Sequence, residues 1–397
     1  MFKKLGPGVL IAAAFIGPGT VTACTLAGVG FGFSLLWAML LSIFATYILQ
    51  EMAARLGIVT QKGLADVIKE ELTQRWVRYI VIGLIFSAII IGNAAYEAGN
   101  IGGATLGMEA LFGTRYQNLY PIVLGAIAFI LLFFGSYKML EKVFVVLVII
   151  MSLSFVLTAI LTKPSVFELL KGLFLPKIPS DSILTIIALV GTTVVPYNLF
   201  LHASLVSEKW NSKDDLVLVR RDTLISIGLG GLVSLCIIIS AAAVNANEVS
   251  NIMDLAEALA PLYGSWALYF MGIGLFAAGI TSAITAPLAA AYVANSCFGW
   301  KANYTDKRFR FIWMLILGLG VFFLSFKIKP IEIIKFAQVA NGLLLPIIAL
   351  FLLWVVNREG VMGIYKNNWK QNLFGVLIIV LAIVLGTKSI LTVFGVV

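Results

Sequence analysis

Long apolar runs with few charges recur along the chain, and this pattern predicts eleven membrane-spanning helices. Each run is close to the length that a helix needs to cross about 30 Å of hydrocarbon. The predicted spans are 8–30, 33–54, 78–104, 119–136, 140–162, 183–206, 222–245, 265–296, 309–327, 331–356 and 371–395. The third and eighth are the longest and should tilt or project into water, and the longest loops are 163–182 and 246–264. We therefore predict an all-α integral membrane protein.

The first apolar run is interrupted at its midpoint by Gly17, Pro18 and Gly19. Proline removes a backbone donor and glycine adds backbone freedom, so we expect the helix to unwind there. The sixth run carries a similar interruption at Pro196. Two broken helices at matching places in two halves of a chain are typical of the substrate site of a transporter. The alternative is that both prolines only kink continuous helices.

The matched interruptions also predict an inverted repeat within a single transmembrane domain, residues 1–397. Spans one to five (8–162) form one half, spans six to ten (183–356) form the other, and helix eleven (371–395) follows. Because five is an odd number, the second half enters the membrane with the opposite orientation.

Composition excludes a soluble fold, since 61% of the residues are hydrophobic, 12% are charged and the mean hydropathy is +1.03. Cys24, Cys236 and Cys297 are far apart and lie in or beside apolar segments, which indicates core residues rather than disulfides or metal ligands. The sequence shows no phosphate loop, no cofactor motif and no combination of nucleophile and base. We therefore expect neither an enzyme nor a bound cofactor.

The net charge of +9 follows the predicted topology. With eleven spans, 20 of the 28 Lys and Arg residues fall on the side of the N-terminus. The positive-inside rule then predicts a multi-pass protein of the inner (plasma) membrane with a cytoplasmic N-terminus and an extracytoplasmic C-terminus. Membrane lipids are expected partners and nucleic acid is not; the oligomeric state stays open.

Neutral hydrogen-bonding groups flank both interruptions. An unwound segment exposes carbonyl groups where one half-helix ends and N–H groups where the next begins. We predict that the substrate-binding residues are Gly17, Gly19, Thr20, Thr192, Thr193, Val195, Tyr197, Asn198, Gln338 and Asn341. Each threonine has an alternative role in helix packing. No carboxylate lies within either interruption, so a dehydrated divalent cation would lack the formal negative charge it requires.

Two ionisable residues inside the predicted spans are candidates for proton movement. Glu97 lies on the third span, and a carboxyl group in the membrane interior is a functional candidate by default. His202 lies four residues after Asn198, on the same face of its half-helix, and histidine titrates in the physiological range. The alternatives are a structural hydrogen bond for Glu97 and simple packing for His202.

Several segments resemble the NRAMP (natural resistance-associated macrophage protein) family of transporters. They are Gly17-Pro18-Gly19-Thr20, Glu97-Ala98-Gly99-Asn100 and the residues 6–8, 50–60, 101–102, 196–202, 338–339 and 345–346. The resemblance covers nearly the whole chain. It implies a five-plus-five inverted repeat of the LeuT-like fold, alternating access at the two breaks, and uptake of divalent transition metals together with protons.

The chain departs from this family at the positions that would bind the metal. The family has Asp and Asn in the first break, Met and His in the second, and an acidic residue three positions before the third-span glutamate. These positions are occupied here by Gly17, Thr20, Val195, Tyr197 and Ala94. The metal-ligand set is therefore replaced, whereas Glu97 and His202 remain.

These departures lead us to expect a proton-coupled secondary transporter of a small organic solute that bears a carboxylate. The carboxylate would face the half-helix N-termini near Thr20 and Asn198. The first alternative is a divalent cation transporter that keeps its ion partly hydrated, which suits magnesium better than manganese. The second alternative is a passive channel.

Overall fold

The computed structural model describes residues 6–135, 137–243, 266–300, 304–324 and 344–393. Within these ranges the chain is mostly helical and contains no strand, as the sequence predicts. The helices before residue 175 are α1 (Gly8–Phe15), α2 (Pro18–Phe31), α3 (Leu36–Thr60), α4 (Leu64–Glu71), α5 (Arg75–Phe112), α6 (Tyr120–Phe134), α7 (Tyr137–Leu161) and α8 (Val166–Phe174).

The described helices after residue 175 begin with a second short pair. They are α9 (Ile183–Thr193), α10 (Pro196–Lys209), α11 (Leu216–Ala242), α12 (Trp266–Phe298), α13 (Lys307–Leu324), α14 (Leu344–Val356), α15 (Glu359–Met362) and α16 (Trp369–Val393).

Six helical stretches in the described ranges are long and apolar enough to cross a membrane. The number rises to seven if α14 and the segment Glu359–Tyr365, which bend by 68° at their junction, form one span. The count of eleven spans stays a prediction, because some predicted spans are broken into shorter helices and others fall partly outside the described residues.

The longest described helices are α5 and α12, with 38 and 33 residues, as predicted for the third and eighth spans. At 1.5 Å per residue, α5 is about 57 Å long, well beyond the hydrocarbon thickness of a bilayer. It runs from Arg75 to Phe112 rather than over the predicted 78–104. The helix begins three residues before and ends eight residues after the predicted span, because hydropathy alone does not locate the ends of a helix.

The linker 163–182, interpreted from the sequence only as a loop, contains the nine-residue helix α8. One face of α8 is apolar, and the helix lies against the turn that joins α2 to α3. Gly172 permits this contact, because a Cβ atom there would come within 2.3 Å of the Phe33 carbonyl oxygen.

The four short helices α1, α2, α9 and α10 lie inside a bundle formed by α3, α5, α7, α11 and α12. The long helices α5 and α12 approach closely, since a Cβ atom at Gly279 would lie 2.5 Å from that of Ala104. The start of α1 is held by Asp222 of α11, whose carboxylate accepts hydrogen bonds from the N–H groups of Gly6 and Gly8, both at 2.7 Å. This packing places the break between α1 and α2 beside the break between α9 and α10.

Candidate site at the two helix breaks

Both interruptions are true breaks, and they repeat one backbone conformation. Ile16 and Val194 end their half-helices with φ, ψ of −86°, 62° and −90°, 72°. Gly17 and Val195 then follow in extended conformations, before new helices begin at Pro18 and Pro196. The alternative of two kinked but continuous helices is therefore wrong.

The carbonyl end of α1 is closed by hydroxyl groups from three other helices. Thr20 of α2 donates a short hydrogen bond to the carbonyl oxygen of Phe15. Tyr197 of α10 donates to that of Ala14 at 3.3 Å, and Ser282 of α12 donates to that of Ala13 at 3.3 Å. Three successive carbonyl groups that a helix leaves without intrahelical partners are thus satisfied by side chains.

Thr192 extends this arrangement to α9. Its Oγ1 atom lies 2.8 Å from Oγ1 of Thr20. Because the Thr20 proton is donated to Phe15, Thr192 is the donor in the bond between the two hydroxyls. Thr193 instead donates to the Leu189 carbonyl oxygen at 2.8 Å and makes a short hydrogen bond with Ser42 of α3. Thr192 therefore lies between the two breaks, whereas Thr193 matches the packing alternative.

Gly17 leaves room for a neighbour rather than for a left-handed turn, since its φ is −96°. A Cβ atom at this position would lie 2.6 Å from Ser282 Oγ and 3.6 Å from Asn100 Oδ1. The Ser282 hydroxyl therefore occupies the space that the Cβ atom of any residue larger than glycine would need at position 17.

Asn198 has the least satisfied side chain at the site. It is fully buried in the first turn of α10, and neither its Oδ1 nor its Nδ2 atom has a hydrogen-bond partner among the described residues. Buried polar groups are normally paired, because an unpaired one costs about 1–3 kcal/mol. Because its oxygen and nitrogen atoms are both unpaired, this buried amide at a helix break is able to bind a ligand.

Glu97 lies next to the first break without belonging to it. Its side chain is completely buried, Oε2 accepts from Asn100 Nδ2 at 3.4 Å, and Oε1 has no partner in the described ranges. Asn100 thus connects this carboxyl group to the surroundings of Gly17. The same helix carries Tyr96, whose ring meets the edge of the Tyr197 ring at 6.0 Å between centroids.

The His202 side chain is hydrogen-bonded to α3. Its Nδ1 atom lies 2.9 Å from Oε1 of Gln50, while Nε2 has no partner in the part of the chain that the structure describes. The residue is completely buried. Its geometry fits both the packing role and a proton-carrying role.

The remaining predicted site residues divide into two groups. Gly19 and Val195 are buried at the breaks, Gly19 in the first turn of α2 and Val195 before α10. Gln338 and Asn341 lie outside the described residues.

The sequence interpretation missed Ser282 as a site residue and gave no role to Asn100, Gln50 or Tyr96. Asn100 follows Glu97 by one helical turn, so helical spacing was available as a signal. Ser282 gave no signal, since its partner Ala13 is 269 residues away.

The described residues contain no group of three His, Cys, Asp or Glu side chains able to hold a metal ion. The oxygen atoms around the breaks come from hydroxyl groups, amides and the main chain, with Glu97 as the adjacent carboxyl. Such a set suits hard, oxygen-seeking ions and offers no sulfur to a softer metal.

Comparison with known proteins agrees with this geometry. The family model "Natural resistance-associated macrophage protein-like" (Nramp) matches residues 8–392. The divalent metal cation transporter MntH of Erwinia tasmaniensis is 28% identical over 97% of this chain and 93% of its own length. A manganese transporter variant from Eremococcus coleocola shares the fold with a TM-score of 0.79 at 22% identity, covering 98% of this chain and 87% of that one.

The fold also extends to a more distant structure, MhsT in complex with L-phenylalanine, with a TM-score of 0.64 at 16% identity, covering 97% of this chain and 98% of that one. The relatives are named as transporters, which confirms a multi-pass membrane transporter rather than an enzyme. Their names favour the divalent-cation alternative over the expected organic carboxylate. On the match over residues 8–392, the chain belongs to the Nramp family.

Proposed function

We propose that this transporter carries a divalent cation, with magnesium preferred to manganese, by alternating access at the two helix breaks. The single observation that supports a cation is the direction of the hydrogen bonds at the end of α1. Thr20, Tyr197 and Ser282 all donate their hydroxyl protons to its carbonyl groups. A hydroxyl has only one proton, so none of these three groups has a proton left to donate to an anionic substrate.

The ligand chemistry favours a hard ion that keeps part of its water. Val195 stands in the second break and Gly17 in the first, so neither break contributes a thioether or a carboxylate. Mg²⁺ dehydrates reluctantly and is usually held through its waters and one or two carboxylates. Glu97 accepts a hydrogen bond from Asn100, whose Oδ1 atom lies near Gly17, and is the carboxyl group that would supply one such charge.

Proton coupling is part of the proposal. Glu97 and His202 are buried in neighbouring helices, and each has one side-chain atom without a partner in the described ranges. A carboxyl group and an imidazole in this setting can each hold or release one proton as the surroundings change. We also propose one transmembrane domain with halves 8–162 and 183–356, placed in the plasma membrane with a cytoplasmic N-terminus.

Uptake into proteoliposomes tests the substrate. We expect saturable Mg²⁺ entry that is faster with an inward proton gradient and slower for Mn²⁺. Glu97→Gln keeps the side-chain volume and removes the charge, so it should reduce the uptake and its dependence on the gradient. Glu359, whose side chain is 81% exposed at the start of α15, offers a matched control through Glu359→Gln. Absence of saturable divalent uptake in active preparations would contradict the proposal.

A small organic carboxylate is the second candidate, and Asn198 is the observation that favours it. Its unpaired Nδ2 is a donor at the N-terminus of α10, where anions are stabilised. Saturable uptake of a radiolabelled monocarboxylate that Mg²⁺ does not inhibit would select this candidate. Proton-independent current without saturation would instead indicate a passive channel.

A further inference from the structure

A groove on the outer surface of the bundle lies between α3 and α11, away from the helix breaks. Its larger section is an almost wholly apolar cavity of about 710 Å³. Phe44 on one wall and Leu224 on the other are 46% and 55% exposed, so the groove is open along its side. At one end, Trp37 Nε1 donates to the Lys177 carbonyl oxygen at 2.9 Å and brings the segment after α8 over the groove.

The other end of the groove is polar and basic. A second cavity of about 350 Å³ adjoins the first, and Tyr47 lines both. Its lining includes Arg220, whose side chain is 43% exposed, together with Asn368 and Gln371 from the start of α16.

The charge at this end is positive overall. Glu51 accepts from Arg220 Nε at 2.8 Å and from Arg55 Nε at 3.0 Å. Two guanidinium groups therefore face one carboxylate, which leaves one net positive charge. Arg220 is the member of the three that reaches the surface, since the Arg55 and Glu51 side chains are only 1% and 9% exposed.

The dimensions match one leaflet of a bilayer. Arg220 and Gly228 are eight residues apart on α11, which corresponds to about 12 Å along the helix axis. A leaflet contributes about 15 Å of hydrocarbon. A molecule with its charged group at Arg220 would therefore place an acyl chain beside Gly228, within the same leaflet.

We propose that this groove binds one anionic phospholipid, with the phosphate at Arg220 and an acyl chain against Leu224 and Gly228. Along α11, the apolar Leu224 and the guanidinium of Arg220 are one helical turn apart. An anionic phospholipid has the same order of groups, an acyl chain followed by a charged phosphate. Basic pockets between membrane helices commonly hold anionic headgroups. A transmembrane helix from a second copy would fill the apolar section but would leave the net positive charge of Arg55, Glu51 and Arg220 without a counterpart.

Gly228 allows a direct steric test. A Cβ atom there meets no atom within 4 Å, so Gly228→Phe fills the groove without disturbing the fold. Gly318 on α13 is a matched control, because it is also exposed and has equally open space around its Cβ position. Arg220→Gln tests the headgroup, and Arg221→Gln is its control, since Arg221 is exposed one residue further along α11.

The measurement is native mass spectrometry of purified protein mixed with phosphatidylglycerol or phosphatidylcholine. We expect one retained phosphatidylglycerol per chain and less phosphatidylcholine. Arg220→Gln should weaken phosphatidylglycerol retention about fivefold, the usual effect of one basic residue on an anionic lipid. Gly228→Phe should reduce the retention of both lipids, and the two control variants should behave as the unaltered protein.

Two results would overturn the proposal. One is equal lipid retention by Gly228→Phe and Gly318→Phe. The other is a Gly228→Phe protein that keeps its lipid but loses cross-linked dimers in vesicles, which would assign the groove to a second copy of the chain.

Discussion

The two helix breaks share a backbone conformation but differ in how their polar groups are satisfied. At the first, the carbonyl groups of residues 13–15 each accept a hydroxyl proton from another helix. At the second, among the described residues, the carbonyl oxygens of Gly191 and Thr192 accept only long hydrogen bonds of 3.4 and 3.5 Å, and the Asn198 side chain has no partner. One break is thus closed by the protein itself, whereas the other retains unused hydrogen-bonding capacity.

This difference separates structural from functional polar groups. A group that is already paired in the folded protein contributes to stability, while a buried group that is left unpaired lowers stability and is retained for another reason. We therefore expect substitutions of paired groups, such as those that close the first break, to act mainly on stability, and substitution of the unpaired Asn198 side chain to act mainly on transport.

The largest effect is expected at Asn198. Asn198→Leu keeps the branched shape of the side chain and removes the unpaired amide, so uptake should fall more than about tenfold while the melting temperature stays or rises, because the cost of about 1–3 kcal/mol is removed. Proteoliposome uptake and a thermal-shift assay measure the two quantities. Thr193→Val is the matched comparison: it should lower the melting temperature and retain uptake. The reverse pattern in the two variants would refute the distinction between paired and unpaired groups.

The next effect concerns metal choice at the first break. Gly17→Asp combined with Ser282→Ala places a carboxylate where the serine hydroxyl now fills the space. A charge pair at about 4 Å is worth roughly 4 kcal/mol near a protein surface, part of which is lost to desolvation, so Mn²⁺ should bind at least about tenfold more tightly. Calorimetric titration measures this, with Ser282→Ala alone as the control. Unchanged Mn²⁺ affinity in the double variant would mean that the cation does not bind near residue 17.

Removing a hydroxyl from the first break should have a smaller effect. Thr20→Val loses the hydrogen bonds to Phe15 and Thr192, so we expect about 1 kcal/mol of destabilisation for each bond and only a few-fold loss of uptake. Chemical denaturation in detergent gives the first number and proteoliposome uptake the second. A loss of transport without loss of stability would make Thr20 a substrate ligand.

The smallest effect is expected at Tyr197. Tyr197→Phe removes the 3.3 Å hydrogen bond to the Ala14 carbonyl oxygen and keeps the edge-on contact with Tyr96. The cost should be about 0.5–1.5 kcal/mol with nearly unchanged uptake. Denaturation curves of the variant and the parent protein decide this, and a destabilisation beyond the effect of Thr20→Val would reverse the predicted order.

Much of the fold could be predicted from sequence because its signals are local. Glycine and proline together located the first break, Pro196 located the second, and apolar length located the long helices. A proline alone is a weaker signal, since Pro287 lies inside the unbroken helix α12. The helix α8 was missed because nine residues with one apolar face do not stand out in a polar linker.

The hydrogen-bond pattern of the site could not be predicted from the sequence. Ser282 and Tyr197 donate to carbonyl groups of α1 that lie 269 and 183 residues earlier in the sequence, and no sequence periodicity indicates these contacts. The neutral character of the break residues was correct, yet it led to an organic anion as the expected substrate. A hydroxyl group that donates its proton to a carbonyl oxygen can no longer donate to an anion, and the sequence does not show which hydroxyls do so.

The central claim is that the helix breaks bind a cation rather than an organic anion, and equilibrium binding to the purified protein tests it most directly. Calorimetric titrations with Mg²⁺ and with a small monocarboxylate should be made on the unaltered protein and on Asn198→Leu. We predict saturable Mg²⁺ binding that Asn198→Leu weakens, and no saturable binding of the monocarboxylate. Saturable binding of the monocarboxylate that is lost in Asn198→Leu, with none of Mg²⁺, would contradict the claim.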